Sequence, residues 1–130
     1  MLDRFNVSEL DAARTAGSDT GLDFDEQWTF CRSCGNRIAL LASRSELDGC
    51  HMHRRTNPGG IEFEFAIFTQ APGCSTAGGP VEQDSWFRGY TWEIAVCAGC
   101  AEHLGWRFAS RESDCAYGLI VAKLVERGDG

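Results

Sequence analysis

The sequence contains two CxxC motifs, Cys31-Arg32-Ser33-Cys34-Gly35 and Cys97-Ala98-Gly99-Cys100, which are separated by 62 residues. Together they are the most specific chemical signal in the chain. A two-residue spacer lets both sulfurs of a pair converge on one cation, and Gly35 and Gly99 suit the tight backbone turn that follows. Four thiolates satisfy the tetrahedral preference of Zn²⁺ and leave no open position. The motifs therefore predict one structural zinc per chain, bound by Cys31, Cys34, Cys97 and Cys100.

The long interval between the two motifs indicates what this zinc does. A compact zinc finger places its two pairs ~15–20 residues apart, so here the metal must hold together two segments that are distant in sequence. A redox role for two separate CxxC dithiols is the alternative, but such motifs usually occur singly, in a thioredoxin-like context. Seven cysteines are an odd number, which together with the absence of a signal peptide indicates a reducing, cytoplasmic setting.

Composition and charge divide the 130 residues into three parts. Residues 1–27 carry seven acidic residues against two arginines, a net charge of −5, and are predicted to be a disordered tail with at most a short helix over Val7–Ala16. Residues 28–127 are predicted to form the single folded domain, and residues 128–130 a C-terminal tail. The overall net charge of −7 argues against nucleic-acid binding. The longest apolar run, Ile38–Ala42, is too short to span a membrane.

Short alternating segments predict an antiparallel β domain. In Ile61–Phe68, the side chains of Ile61, Phe63, Phe65 and Ile67 should share the buried face. Further strands are predicted over 91–96, 106–108 and 117–125, with Gly- and Pro-rich turns at 57–60, 71–73 and 78–80. Residues 38–47 are compatible with either a helix or a strand.

Three of the four tryptophans lie around the second CxxC motif. Trp86 and Trp92 flank a glycine-containing turn in Ser85–Trp92, and Trp106 follows the motif in Glu102–Phe108. Because the zinc would draw these segments together, the three indoles could line one small cavity. Each should then be partly exposed in the free protein, since a binding wall must stay uncovered until ligand arrives. Trp28 is expected to pack in the core.

The combination SWFRGYTW, CAGC and HLGWRF resembles the CULT domain, the thalidomide-binding domain of cereblon. The resemblance covers roughly residues 28–127 and includes CRSCG, Asn57-Pro58 and Tyr117-Gly118-Leu119. It implies a β-tent, in which two antiparallel sheets meet at an angle and are pinned by the Cys₄ zinc. Since no ubiquitin-ligase-binding or protease-like domain precedes this segment, the chain resembles the single-domain bacterial relatives.

The resemblance also implies a ligand site. No catalysis is expected, because nothing in the sequence pairs a nucleophile with a base and the zinc has no free position for water. Trp86, Trp92 and Trp106 would form an aromatic cage for cyclic imides: glutarimides such as thalidomide, uracil-like rings and C-terminal cyclic imides of damaged proteins. Backbone groups of the Asp84–Trp86 segment would bond the imide edge. A monomer without nucleic-acid or membrane partners is expected. The implied ligand-binding residues are Asn57, Asp84, Ser85, Trp86, Trp92, Trp106 and Phe108.

Asp84 departs from vertebrate cereblon, which has a histidine there that donates to an imide carbonyl. An ionised carboxylate cannot donate, and would repel the imide oxygens if it faced them. Two outcomes stay open: the carboxylate turns to solvent and only the backbone carbonyl is used, or it points inward and weakens imide binding.

Other residues offer alternative functions. Cys115 lies about where B-type methionine sulfoxide reductases, which share the β-tent, carry their nucleophile, although Glu112 and Asp114 flank it and would disfavour a thiolate. The stretch His51–His53 beside Cys50 could be a second metal site, but a surface loop is the preferred interpretation. His103 is expected to be a structural hydrogen-bonding residue, and a zinc-ribbon nucleic-acid binder is disfavoured by the charge.

Overall fold

The computed structural model describes residues 27–126, together with the backbone of residues 2–3 and 5–6. The latter form two short antiparallel strands, β1 (Leu2–Asp3) and β2 (Phe5–Asn6). The predicted helix over 7–16 and the predicted tail at 128–130 lie outside the described residues. No helix in the described ranges is long and apolar enough to cross a membrane.

Nine strands between residues 28 and 126 form two antiparallel sheets, which confirms the predicted fold class. The small sheet has the order β11-β3-β4 and the large sheet the order β5-β6-β10-β9-β8-β7. Two short 3₁₀ helices lie at Leu41–Ser43 and Val121–Lys123. The strands are β3 (Trp28–Cys31), β4 (Arg37–Leu40), β5 (Met52–Thr56), β6 (Glu62–Phe68), β7 (Cys74–Val81), β8 (Tyr90–Cys97), β9 (His103–Ser110), β10 (Cys115–Ile120) and β11 (Leu124–Glu126).

Strand β6 shows how the alternating pattern is used. Phe65 and Ile67 are buried on one face, as predicted, and Phe63 is half-buried. Ile61 precedes the strand and is 57% exposed, so the prediction that it belongs to the buried face is wrong. Ala66 and Phe68 are also buried, because β6 is an interior strand whose other face is covered as well.

The large sheet has a hydrophobic cluster on each face. One cluster contains residues of both sheets, among them Ile38, Leu124 and Leu119, so it fills the space where the sheets pack together. The other cluster lies on the opposite face, around Phe65 and Phe108. Half-buried Trp86 and Trp92 pack against this second cluster, so it forms the base of the aromatic region.

Several predicted segments differ in detail from the structure. Residues 78–80 are not a turn but a bulge inside edge strand β7, where Gly78 and Gly79 have φ values of 86° and 76°. The predicted closing strand over 117–125 divides: β10 ends at Ile120, and β11 joins the small sheet. Residues 38–47 contain the end of β4 and a 3₁₀ helix instead of one regular element.

Candidate functional site

The four cysteines of the CxxC motifs come together, with one potential ligand atom of each lying within 4.8 Å of the others. Cys31 Sγ lies 3.7 Å from Cys100 Sγ, and Cys34 Sγ lies 3.6 Å from Cys97 Sγ. Within residues 27–126 this is the one group of three or more Cys, His, Asp or Glu side chains placed to hold a metal ion. The predicted set of four metal-ligating thiols is therefore assembled.

The same backbone turn builds both halves of this cysteine cluster. The amide of Gly35 donates to the carbonyl of Cys31, and that of Ala101 donates to the carbonyl of Cys97, each at 2.8 Å. Gly35 has a φ of 82°, as the prediction for a tight turn requires, but the matching residue in the second motif is Ala101, with a φ of 67°. Gly99 does not adopt a positive φ, so the conformational reason given for it from the sequence is wrong; its amide instead donates to Cys97 Sγ at 3.3 Å.

Gly73 ties the two sheets together beside the cysteine cluster. Its amide donates to Ile38 O at 2.9 Å in the small sheet, and its carbonyl accepts from Ala98 N at 2.9 Å and from Asn36 Nδ2 at 3.3 Å. A Cβ atom at this position would lie 1.9 Å from Arg37 O. Only glycine therefore permits this approach of the two backbones.

The thiols of the cluster cannot all ionise easily on their own. Burial disfavours the Cys97 thiolate, but hydrogen bonds from the backbone amides of Cys100 and Gly99 and from the thiols of Cys34 and Cys100 together outweigh it and lower the pKa of Cys97 to about 7. At Cys100, the backbone amide of Glu102 favours the thiolate, but desolvation and the neighbouring thiols prevail and raise the pKa to about 12. Like charges this close oppose a second ionisation, so a bound cation is what would allow four thiolates to coexist.

On the other face of the large sheet, three tryptophans line a cavity of about 400 Å³. Trp86 contributes from the segment before β8, Trp92 from β8 and Trp106 from β9. The pairing of β8 with β9 places Trp92 and Trp106 on the same face of the sheet, and Trp86 packs against Trp106. The predicted residues Asn57, Asp84 and Phe108 also line it. Four further lining residues were not anticipated from the sequence: Pro58, Phe63, Ile94 and His103.

The tryptophan walls are held in fixed orientations. Trp86 Nε1 donates to Thr56 O at 3.2 Å, and Trp92 Nε1 donates to Gln83 O at 2.8 Å. Trp86 and Trp106 pack edge to face, with centroids 4.8 Å apart and an interplanar angle of 80°. Because the N–H groups of Trp86 and Trp92 are already used by backbone carbonyls, these indoles offer the cavity mainly apolar surface.

Trp106 is more buried than expected for a cage wall. Only 7% of it is exposed, whereas Trp86 and Trp92 are half-buried, so the prediction that all three would be partly exposed is wrong for Trp106. Phe63 explains the difference, since its ring lies 5.0 Å from that of Trp106 at an angle of 77°. Phe63 lies on β6, and the alternating pattern predicted a core position for it but no contact with the tryptophans. Phe65, two residues further along the same strand, stacks on Trp86.

The residues that line the cavity carry polar groups on both backbone and side chains. Within residues 27–126, no hydrogen bond occupies the amide N–H of Trp86 or the carbonyl oxygen of Asp84. Asn57 Oδ1 accepts from Ile61 N at 2.9 Å, which fixes the side chain at the cavity and leaves its amide nitrogen as a donor. Ser85 does not line the aromatic cavity; its Oγ bonds to the backbone of Phe87, and it lines an adjoining cavity.

His103 is a neutral lining residue held by a backbone hydrogen bond. Its Nε2 lies 3.0 Å from Gly105 O and therefore donates to it, and its ring packs edge to face on Trp106 at 5.2 Å. Burial lowers the pKa of His103. This agrees with the expectation of a structural hydrogen-bonding role.

Two alternative sites look different in the structure. Met52 and His53 begin edge strand β5, directly after His51. His53 is buried and stacks on Phe65 at 5.6 Å, so the interpretation of this stretch as a surface loop is wrong. Both imidazoles donate to backbone carbonyls: His51 Nδ1 to Ser45 O and His53 Nε2 to Leu47 O. These two ring nitrogens therefore carry protons and cannot bind a metal. Cys115 lies on β10 and lines a separate cavity with Arg107 and Tyr117, away from the tryptophans.

The fold and the two sites together define a mainly-β domain with a four-cysteine cluster joining its sheets and an aromatic cavity on the outer face of the larger one. No family model matches the chain. Curated proteins named cereblon are similar to it: that of Drosophila persimilis is 34% identical over 111 residues, covering 76% of this chain and 17% of that protein.

Two further relatives agree with this match. Cereblon of Drosophila melanogaster is 37% identical over 92 residues, which is 65% of this chain and 15% of that protein. Cereblon of Gallus gallus is 35% identical over 75 residues, which is 55% of this chain and 17% of that protein. The chain is cereblon-like, and it spans about a sixth of the length of the curated relatives that it matches.

Proposed function

We propose that this domain binds small molecules that contain a cyclic imide or a similar ring, and that it is not an enzyme. The ring would lie in the aromatic cavity, and the ligand class comprises glutarimides of the thalidomide type, uracil-like rings and C-terminal cyclic imides. The observation that carries the proposal is the cavity itself, in which Trp86, Trp92 and Trp106 surround a space of about 400 Å³.

The chemistry of the cavity matches such a ring. The methylene groups of a saturated imide ring suit the flat apolar faces of indoles. Along its polar edge, an imide presents acceptor, donor and acceptor in sequence. The carbonyl of Asp84 and the amide of Trp86 belong to lining residues and have no partner within residues 27–126, so they supply an acceptor and a donor for that edge.

We further propose that the ion of the cysteine cluster is Zn²⁺, with a structural role. Cys31, Cys34, Cys97 and Cys100 would hold it, because four thiolates complete a tetrahedral shell for zinc and leave no position for substrate. The chain's own residues prepare the site: the backbone turns orient the thiols, and the amide of Gly99 bonds Cys97 Sγ.

The proposal of a binding domain without catalysis rests on how the reactive groups are placed. Cys115, which a methionine sulfoxide reductase would use, lines a cavity different from the tryptophan cavity. His103 does line the tryptophan cavity, but its Nε2 is engaged with Gly105 O, and the lining residues include no serine, threonine or cysteine that it could activate.

A fluorescence titration tests the proposed function directly, since the indoles report on the cavity. Glutarimide, uracil and methionine sulfoxide would be titrated in parallel. A ring of eight heavy atoms at roughly 0.5–1 kcal/mol per atom gives expected dissociation constants for glutarimide between about 1 mM and 1 μM. Saturable binding of glutarimide supports the proposal. Turnover of methionine sulfoxide that disappears in Cys115→Ser would contradict it and would indicate a methionine sulfoxide reductase instead.

A further inference from the structure

The aromatic cavity adjoins a second cavity, and Asp84 lines both. The second cavity has a volume of about 600 Å³, and its lining includes Glu82, Arg88, Tyr90 and Arg111. A ring seated among the tryptophans can therefore carry a substituent that extends past Asp84. The chemical character of Asp84 should then influence which substituents are accepted.

Asp84 is exposed and held in an unusual conformation. Its φ is 61°, in the left-handed region that aspartate adopts more readily than most non-glycine residues. Within residues 27–126, neither Asp84 nor Glu82 forms a hydrogen bond or ion pair through its carboxylate. Asp84, whose carboxylate has no partner there, thus lies between the two cavities, and Glu82 lines the second one.

The surrounding charges favour a cation at this position. No arginine or lysine lines the aromatic cavity, and His103 is neutral near neutral pH because burial lowers its pKa. In the lining of the second cavity, Glu82 and Asp84 balance Arg88 and Arg111, and further carboxylates lie near its wall. Burial raises the pKa of Tyr90 on this wall, and the nearby carboxylates of Asp114, Asp48 and Glu112 raise it further.

We propose that Asp84 is a specificity-determining residue, which favours imide ligands whose ring carries a positively charged substituent such as an ammonium group. The ring occupies the aromatic cavity, and the ammonium pairs with the Asp84 carboxylate in the adjoining cavity. The electron-rich faces of Trp86 and Trp92 also attract a cation near the rim. This inference rests on the proposed function, since it assumes that the ring binds among the tryptophans.

A cationic glutarimide and a neutral derivative of it test this inference. Glutarimide bearing a glycylamino group at its 3-position has an ammonium at pH 6.5, and its N-acetyl derivative is neutral; both would be titrated by calorimetry. We expect the ammonium compound to bind at least about threefold more tightly, a modest ratio because the carboxylate is exposed. In Asp84→Asn this ratio should fall to about one.

Glu64→Gln is the matched control, because Glu64 is an exposed carboxylate on β6 that lines neither cavity and pairs with Arg54. It should keep the wild-type ratio. A ratio near one in the wild type, an unchanged ratio in Asp84→Asn, or tighter binding of a 3-succinylamino analogue that carries a carboxylate would each overturn the inference. Plain glutarimide separates the two proposals: if it binds while the ratio is one, only this inference fails, and if no glutarimide binds, the proposed function fails.

Discussion

Cys34 Sγ lies 3.6 Å from Cys97 Sγ, although Cys34 follows a strand of the small sheet and Cys97 ends a strand of the large sheet. The two motifs therefore meet at the junction of the sheets. Beside them, Gly73 links the same two sheets through backbone hydrogen bonds. An ion bound by the four thiols would stabilise the packing of one sheet against the other.

Removal of the metal should therefore destabilise the whole domain. We expect native mass spectrometry to show one zinc per chain, and chelation to lower the free energy of unfolding by more than about 4 kcal/mol, since binding energy at a structural site is folding energy. Cys97→Ser should have a similar effect. Cys115→Ser is the control, because Cys115 lies outside the cluster. Zinc-free protein that unfolds like the untreated protein would contradict this account.

Gly73→Ala should weaken the junction without touching any thiol. The added Cβ would lie 1.9 Å from Arg37 O and 2.6 Å from Ile38 Cα, both of which are backbone atoms that cannot easily move away. We expect a loss of about 3 kcal/mol or more in denaturant unfolding. Gly59→Ala is the control, since its Cβ would come no closer than 3.4 Å to Asn57 Oδ1, and a loss of equal size there would show that the close approach at Gly73 is not the cause.

Ala101→Gly should stabilise the protein. Ala101 has a φ of 67°, which costs an L-residue about 1–2 kcal/mol, whereas glycine adopts it freely. After the greater entropy of glycine in the unfolded chain is subtracted, we expect a gain of up to about 1 kcal/mol in chemical denaturation. Ala98→Gly, in the same motif but without a positive φ, should destabilise slightly; a gain at Ala98 equal to that at Ala101 would refute the explanation.

His103 should titrate below the ordinary histidine value of about 6.5. Burial is the main cause of its lowered pKa, and Lys123 contributes, while the carbonyl of Gly105 and the carboxylate of Glu102 oppose it. The unfolded state then binds the proton more readily, so this group's contribution to stability is present above about pH 6.5 and is lost as the pH falls towards the folded pKa. An NMR titration of the imidazole checks this, and a midpoint at or above 6.5 would contradict the buried, neutral ring.

The sequence predicted the parts of the structure that depend on motifs and alternation. Cys31 and Cys97 could be assigned to one cluster because thiol pairs at this spacing have few other uses, and the Phe65/Ile67 face followed from period two. The predicted indoles Trp86, Trp92 and Trp106 do line one cavity.

What the sequence could not predict depends on contacts between distant strands. Phe63 and Trp106 cover each other because β6 and β9 are brought together through β10, a pairing that no local pattern specifies. His53 looked like a loop residue because its burial depends on stacking against Phe65. The bulge at 78–80 contains two glycines, as many turns do, so composition alone could not distinguish a bulge from a turn.

The central claim is that the tryptophan cavity is a ligand site and not simply core, and calorimetric titration of glutarimide into Trp92→Leu tests it most directly. Trp92 is half-buried and lines the cavity. Trp28→Leu is the matched control, because it removes an indole that is also half-buried but lies in the small sheet. With all variants shown to be folded, we predict that Trp92→Leu weakens binding about 30-fold, a hot-spot effect of about 2 kcal/mol, while Trp28→Leu binds as the wild type does. Wild-type protein that does not bind glutarimide, or Trp92→Leu that binds it as tightly as the wild type, would contradict the account.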